Sequence, residues 1–234
     1  APVRRIDPAW PADLPTGGRH GFTAGHRAPL VAAVAEVAAA VADGQPGTGR
    51  LLVLGTEELM YAPLMIAERL AALRSGPVRY SSTTRSPVLP VGAPDYAVRT
   101  RLAFGRHDSR TVTRAGDGSD TGRRFAYNVA PFRPEDRYHQ VVLVVDEMAD
   151  TWRLWAGAGL VDLLRRTCDE VTVVVLPAGL PQPATDLVGS AVATGSVVPS
   201  GSVVPSGSVA VSGWDAGTGG ADRVSCAARR WGAR

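Results

Sequence analysis

Short apolar runs that alternate with helix-like segments constrain the fold of this 234-residue chain more than any other feature. Residues 50–54 form an apolar run typical of a buried strand in a parallel sheet. A segment with helical periodicity follows at about 58–74 and leads, after Ser75-Gly76, into a short strand at 77–81. This order predicts a β-α-β unit, in which the two strands are parallel neighbours joined by a right-handed crossover.

The same alternation continues on both sides of this unit. An alanine-rich helix is predicted at 30–43, because a proline precedes it and a glycine follows it. Further along the chain, the pattern predicts a strand at 140–145, a helix near 151–166 and a strand at 170–176. The fold class expected from these elements is a three-layer, Rossmann-like α/β domain with a mainly parallel sheet.

Other segments interrupt or flank this domain. A hairpin insertion is predicted because residues 96–104 alternate apolar with polar and can pair with 123–129 across a glycine-rich loop. The boundaries expected are an extended N-terminal arm, 1–28, the α/β domain, 29–178, and a low-complexity tail, 179–234. The tail repeats Gly-Ser-Val-Val-Pro-Ser twice in tandem, which is too few copies to stack as a β-helix, so we expect it to be disordered.

Composition excludes several classes of protein. The formal net charge is only +3, aromatic residues make up 6%, and no nucleic-acid-binding motif is present, so nucleic acid is not favoured as a partner. Cys168 and Cys226 have no spacing typical of zinc or of a redox pair, and we expect Cys168 to be an inert core residue. No apolar run approaches the roughly 18 residues that cross a bilayer, and the N-terminus lacks the apolar core of a secretory signal. We therefore expect a cytoplasmic protein without a membrane partner.

Three polar strings follow predicted strands, at the points where those strands end. They are Gly55-Thr56-Glu57-Glu58, Thr83-Thr84-Arg85-Ser86 and Asp146-Glu147. Ligands of open α/β sheets bind beyond the carboxyl ends of the strands, so we expect the three strings to form one polar pocket.

Charge separates the roles of the first two strings. A phosphate can bind the backbone N–H groups of Gly55 and Thr56 at a helix N-terminus, but Glu57 and Glu58 would repel it. We therefore assign an anion to residues 83–86, where an arginine fork is flanked by hydroxyl groups. The hydroxyls have an alternative role in turn and capping chemistry before the following proline. Glu58 has an alternative role as a first-turn glutamate favoured by the helix dipole.

The remaining candidates complete the predicted pocket. The carboxylates of Glu57, Asp146 and Glu147 suit sugar hydroxyls or Mg²⁺, a hard ion that takes oxygen ligands. Tyr127 can stack on a base that Asn128 hydrogen-bonds, although a half-buried strand end explains the same pair.

These motifs together resemble the TRSP domain family, which takes its name from the tetrapeptide present here at Thr84-Arg85-Ser86-Pro87. Residues 54–61 and 125–129 belong to the same resemblance, which covers about residues 3–178. The family is found beside, or fused C-terminal to, a phosphoribosyltransferase encoded in tellurite-resistance-type stress operons. The resemblance implies a phosphoribosyltransferase partner and a part in a stress-response branch of nucleotide metabolism that yields a nucleoside-like or ribosylated metabolite.

Residues 141–147 are also similar to the diphosphate-binding motif of phosphoribosyltransferases, an apolar strand followed by two acids. This similarity implies a phosphoribosyltransferase-like sheet in which Asp146 and Glu147 hold ribose hydroxyls. The sequence then departs from the motif, because the next residues lack glycine and place Asp150 and Trp152 where the phosphate would lie. An aspartate repels phosphate and an indole crowds it, so we do not expect this chain alone to catalyse the transfer.

Two functions from different classes follow. In the first, the domain binds or processes a ribosyl-phosphate or nucleoside-like metabolite together with the transferase. In the second, it is a non-catalytic regulatory partner that docks on the transferase through an exposed apolar or arginine-rich surface, which we place at residues 97–139. The residues do not decide whether the chain is an enzyme.

Overall fold

The described residues form seven β-strands and four α-helices that follow the alternation in the sequence. The computed structural model describes residues 1–17, 21–45, 47–57, 59–107 and 122–178. In chain order the elements are β1 (Val3–Ile6), α1 (Arg27–Ala42), β2 (Leu51–Gly55), α2 (Tyr61–Leu73), β3 (Val78–Ser82), β4 (Arg101–Gly105), β5 (Arg123–Tyr127), β6 (Tyr138–Asp146), α3 (Trp152–Trp155), α4 (Leu160–Thr167) and β7 (Cys168–Leu176).

Five of these strands form one parallel sheet in the spatial order β1-β7-β6-β2-β3. Strand β2 lies between β3 and β6, with Leu51 opposite Val78 on one side and Gln140 on the other. All residues of β2 are buried, which explains the uninterrupted apolar run in the sequence. The predicted β-α-β unit and the mainly parallel α/β sheet are confirmed.

Both faces of the sheet are covered, which makes the domain three-layered. Side chains alternate along β6, so Val142 and Val144 pack with α1 and α2, whereas Val141 and Leu143 pack with α4. The β4–β5 hairpin adds apolar side chains to the second face. Each face thus has its own apolar core.

The direction of the connections changes at the boundary between β2 and β6. From β2 the chain crosses through α2 to β3 on one side, whereas from β6 it crosses through α3 and α4 to β7 on the other. Crossovers of the same hand that run in opposite directions place their helices on opposite faces, which is the arrangement observed. The carboxyl ends of β2 and β6 therefore border the crevice where open α/β sheets bind ligands.

The inserted hairpin is also confirmed. β4 and β5 pair in antiparallel fashion along their whole length. Just beyond β3, Thr84 forms an isolated antiparallel bridge with Phe125, which attaches the hairpin to the edge of the main sheet. Residues 108–121 of the connecting loop and the predicted tail at 179–234 lie outside the described residues.

A strand that the sequence did not predict lies within the N-terminal arm. β1 pairs with β7 at the edge of the sheet, but half of its residues are arginines, so it carries no apolar signal. Arg4 Nη2 donates to the Val41 carbonyl near the end of α1 at 2.7 Å, and Arg5 Nη1 donates to Asp150 Oδ2 at 2.6 Å. Arg4 thereby satisfies a helix-end carbonyl that has no intrahelical N–H partner.

The helix expected near 151–166 is divided into α3 and α4. Between them Ala158 has a φ of 66°, in the left-handed region that ends regular helix. A Cβ at Gly159 would overlap the Arg153 carbonyl oxygen, so this turn requires glycine. The prediction of one continuous helix was wrong because the two glycines that flank Ala158 permit this tight turn.

The segment Ala24–Ala42 is the one helical stretch among the described residues that is long and apolar enough to cross a membrane, with a mean hydropathy of 1.2. In the fold, six side chains of α1 are buried in the core that this helix shares with α2 and β2. Packing against the sheet accounts for the apolar composition of this helix.

Cys168 begins β7 and is buried, as expected for a core residue. Its Sγ donates to the Leu164 carbonyl at 3.1 Å, and burial raises the pKa of the thiol to about 11. A thiol with so high a pKa carries little of the reactive thiolate at neutral pH.

We predict that Gly55→Ala destabilises the protein by about 1–3 kcal/mol, since overpacking a rigid site costs energy of this order. A Cβ at Gly55 would overlap the backbone carbonyl of Leu59 and press on Pro63. Gly105→Ala is the control, because a Cβ there meets no atom within 4 Å. Chemical denaturation of both variants measures the difference, and equal midpoints would contradict the predicted overlap.

Candidate functional site

The first two polar strings predicted from the sequence are in direct contact at the carboxyl edge of the sheet. Thr83 N–H donates to the Gly55 carbonyl at 2.9 Å, and Glu57 N–H donates to Thr83 Oγ1 at 3.0 Å. Thr56 N–H donates to the Val144 carbonyl at 3.1 Å, which ties the same loop to β6. Buried Thr83 thus fixes the position of the Glu57 backbone.

The Glu57 carboxylate lies between two arginines. Its Oε2 accepts from Arg85 Nε at 2.7 Å, and its Oε1 pairs with Arg124 Nε on β5. The Arg124 side chain is only 2% exposed, whereas that of Arg85 is 58% exposed. A buried guanidinium requires a nearby counter-charge, and Glu57 supplies one to Arg124. Arg85 is the solvent-exposed arginine of the pair.

Arg124 belongs to this cluster, although the sequence analysis did not select it. Its signal is the alternation along β5, where Arg124 is on the same strand face as Ala126 and both are buried. An arginine whose side chain faces the core needs a counter-charge nearby, and a carboxylate is the group that supplies one.

The turn after β3 is held by hydrogen bonds from β5. Tyr127 O–H donates to the Ser86 carbonyl at 2.7 Å, and Val88 N–H donates to the Tyr127 hydroxyl oxygen at 2.6 Å. Within the turn, Ser86 N–H donates to Thr84 Oγ1 at 3.1 Å. The hydroxyls of Thr84 and Tyr127 therefore shape the turn that carries Arg85.

Asn128 is not part of this cluster. It has a φ of 55°, and its side chain binds the backbone of residues 97–100, which precede β4. Its Oδ1 accepts from Arg99 N–H at 2.8 Å, and its Nδ2 donates to the Ala97 carbonyl at 2.7 Å. Asn128 therefore fixes the chain that enters the hairpin.

The third string, Asp146-Glu147, has hydrogen bonds to backbone groups near the ends of β6 and β7. Asp146 is buried, and its Oδ1 accepts from Ala149 N–H at 2.8 Å. Glu147 Oε2 accepts from Ala178 N–H, just after β7, at 3.3 Å. Glu58 lies outside the described residues.

Carboxylates do not gather into a metal-binding group in the part of the chain that the structure describes, where no cluster of three or more His, Cys, Asp or Glu side chains occurs. Glu57, one of the carboxylates considered for Mg²⁺, is instead paired with arginines. Binding of Mg²⁺ stays a prediction. Asp150, which the sequence placed against a phosphate, is paired with Arg5 at 2.6 Å.

The chemistry available at this edge is recognition of an anion. Two guanidiniums, those of Arg85 and Arg124, contact the same carboxylate. Arginine presents a planar set of N–H donors that suits carboxylate and phosphate oxygens. The pairing with Glu57 shows that the Arg85 guanidinium is oriented to receive such oxygens.

We predict that Glu57→Gln destabilises the protein by about 1–3 kcal/mol, because a buried guanidinium loses the negative charge that it pairs with. The variant removes the negative charge beside buried Arg124 while keeping the shape of the side chain. Glu135→Gln is the control, because Glu135 is 68% exposed and pairs with Arg133 only at 3.9 Å. Urea unfolding of both variants is the measurement, and equal losses would show that Arg124 does not depend on Glu57.

A comparison with protein families places these residues in a known group. The family described as "TRSP domain C terminus to PRTase_2" matches residues 16–164, more than half of the chain. Neither the curated proteins nor the solved structures give a match. The matched range contains Glu57, Arg85 and Arg124, together with β2 to β6 and most of α4. The chain belongs to the TRSP domain family, a family associated with phosphoribosyltransferases.

Proposed function

We propose that this TRSP domain binds a ribosyl-phosphate or nucleoside-like metabolite that its phosphoribosyltransferase partner handles. Its setting is the cytoplasm, in nucleotide metabolism during a tellurite-resistance-type stress response. The anionic group binds at the carboxyl edge of the sheet, where Arg85 is the contact residue. Association of the family with a phosphoribosyltransferase supports the class of ligand.

The observation that carries this proposal is the pairing of exposed Arg85 with Glu57 beside the crevice between β2 and β6. The contact with a carboxylate at 2.7 Å supports this role, because phosphate oxygens use the same guanidinium donors. A phosphate carries more negative charge than a carboxylate, so it competes well for the same donors. Because Arg124 is buried, Glu57 keeps that partner when Arg85 turns to the ligand.

Neighbouring groups support the same ligand. Thr84 Oγ1 accepts a hydrogen bond from Ser86, and a hydroxyl that accepts one bond retains its own O–H for donation. Trp152 is 73% exposed at the start of α3, the helix that follows β6 at the same edge of the sheet. An exposed indole offers an apolar surface on which a base or a sugar can stack.

We predict that Arg85→Gln weakens binding of ribose 5-phosphate by at least about tenfold, because a hydrogen bond to a charged group contributes about 1.5–3 kcal/mol. Isothermal titration calorimetry measures the affinity. Circular dichroism verifies that the variant keeps its fold, as expected for a side chain that is 58% exposed.

Arg166→Gln is the matched control for this experiment. Arg166 is also exposed and also pairs with a carboxylate at 2.7 Å, but it lies on α4. Arg166→Gln changes the net charge by the same amount as Arg85→Gln. If Arg166→Gln binds ribose 5-phosphate as the parent does, the effect of Arg85→Gln comes from the position of the arginine and not from the net charge. Ribose 5-phosphate affinity that is equal in Arg85→Gln and in the parent would refute the proposed role.

A second function, docking on the transferase without a metabolite, is favoured by the segment that directly follows Pro87. Val88, Leu89 and Val91 are exposed apolar residues, and Leu89 is 75% exposed. Consecutive exposed apolar side chains are typical of surfaces that bind other proteins. This segment lies before residues 97–139, where the sequence placed the docking surface.

We expect Leu89→Glu to abolish co-purification of the domain with a PRTase_2-type transferase if this segment is the docking surface, because a charge at an apolar contact is costly to bury. Val31→Glu is the control, since Val31 is 50% exposed on α1. Retention of the complex by Leu89→Glu would contradict docking at this segment while leaving the Arg85 experiment unaffected.

A further inference from the structure

A second cluster of arginines lies near the amino ends of the strands, at the end of the sheet opposite to the Glu57–Arg85 pair. Arg50 directly precedes β2, Arg79 is the second residue of β3, and Arg99 lies just before β4. The three line one cavity of about 80 Å³. Gly55 comes five residues after Arg50, which is about 17 Å along a strand at about 3.3 Å per residue, so this cavity and the Glu57–Arg85 pair lie at opposite ends of β2.

The charge of this cavity is not balanced. Asp136 is the acidic residue among those that line it, and it approaches Arg50 Nη1 at only 3.8 Å. Within the described parts of the chain, no ion pair joins Arg79 or Arg99 to a carboxylate. Three arginines therefore share one acid, and their mutual repulsion is relieved by an anion placed among them.

Arg99 also holds a donor that has no acceptor. Its Nε is shielded from solvent and makes no hydrogen bond. A buried donor without an acceptor is costly, and native structures contain few of them. Arg99 lines the cavity, and this missing hydrogen bond is consistent with a guanidinium that lacks a neutralising partner among the residues that the structure describes.

Two of the three guanidiniums, those of Arg50 and Arg99, lie against aromatic rings, which carry no charge. Arg50 lies over the Tyr138 ring, with Cζ 5.4 Å from the centroid, and Arg99 lies over the Phe132 ring at 5.6 Å. Asn128 fixes the backbone of Arg99 through the 2.8 Å hydrogen bond described above. Ring faces and an amide restrict movement without neutralising a cation, so the site is organised before a ligand arrives.

A larger cavity that also includes Arg50 provides a comparison. It has a volume of about 440 Å³ and also lies near the amino ends of the strands. There Arg50 and Arg74 face two acids, Asp169 and Glu170, so its charges balance. The excess positive charge is therefore specific to the smaller cavity.

We propose that the cavity lined by Arg50, Arg79 and Arg99 binds a small oxyanion, either free phosphate or the terminal phosphate of an ester. Its volume of about 80 Å³ exceeds the roughly 30 Å³ of one water in the liquid, which leaves room for one tetrahedral anion. This site goes beyond the function proposed for Arg85 and does not depend on it.

The test is calorimetric titration of inorganic phosphate and of glycerol phosphate into the Arg85→Gln variant, in which the carboxyl-edge arginine is absent. We expect binding of phosphate to persist in that background. Adding Arg99→Gln should weaken it by at least about tenfold, as for loss of a hydrogen bond to a charged group. Binding of both probes identifies an ester terminus, and binding of inorganic phosphate alone identifies the free ion.

Two further variants make the test decisive. Arg79→Gln should weaken phosphate binding in the same way, and its exposed position makes it the replacement if Arg99→Gln does not fold. Arg69→Gln, an exposed arginine of α2, removes the same charge elsewhere and should leave the affinity unchanged. Absence of phosphate binding in the Arg85→Gln background, or equal losses in the Arg69 and Arg79 variants, would overturn the proposal.

Discussion

Burial of the Arg124 guanidinium is the constraint on which the carboxyl edge of this domain depends. A charge that is only 2% exposed demands a counter-charge, and Glu57 supplies it from the loop after β2. Thr83 then fixes the Glu57 backbone from the end of β3. Three separate strands are thereby tied together by one ionic cluster. The same arrangement fixes where the exposed Arg85 side chain lies, because Glu57 also accepts a hydrogen bond from Arg85.

Most of the fold could be predicted from the sequence because a buried parallel sheet leaves a strong pattern. Strands covered on both faces, such as β2 and β6, must be apolar throughout, and each crossover requires a helix between strands. β1 was not predicted because a strand at the sheet edge can contain arginines and so lacks an apolar run. The partners of these arginines lie far along the chain. The division between α3 and α4 depends on a turn of four residues, 156–159, which periodicity does not resolve.

The candidate site was predictable only in part. The ends of parallel strands meet at one edge, so contact between the loops after β2 and β3 follows from order in the chain alone. Pairing preferences do not follow from order, so the contact of Glu57 with two guanidiniums could be found only in the structure. Tyr127 and Asn128 look like ligand-binding residues in sequence, yet their polar atoms bind backbone groups. Arg124 required the register of the hairpin, which only the structure supplies.

The edge strand β1 also has a consequence for solubility. β7 is a nine-residue strand rich in valine, and without β1 its backbone N–H and C=O groups would form an open edge. Such an edge can recruit strands from other copies of the chain and initiate cross-β aggregation. The four residues of β1 pair with the middle of β7, Val171–Val174, and place Arg4 and Arg5 at the new edge, where charge opposes further strand addition. Although β1 contributes little apolar surface, it thus opposes self-association of the domain through strand pairing.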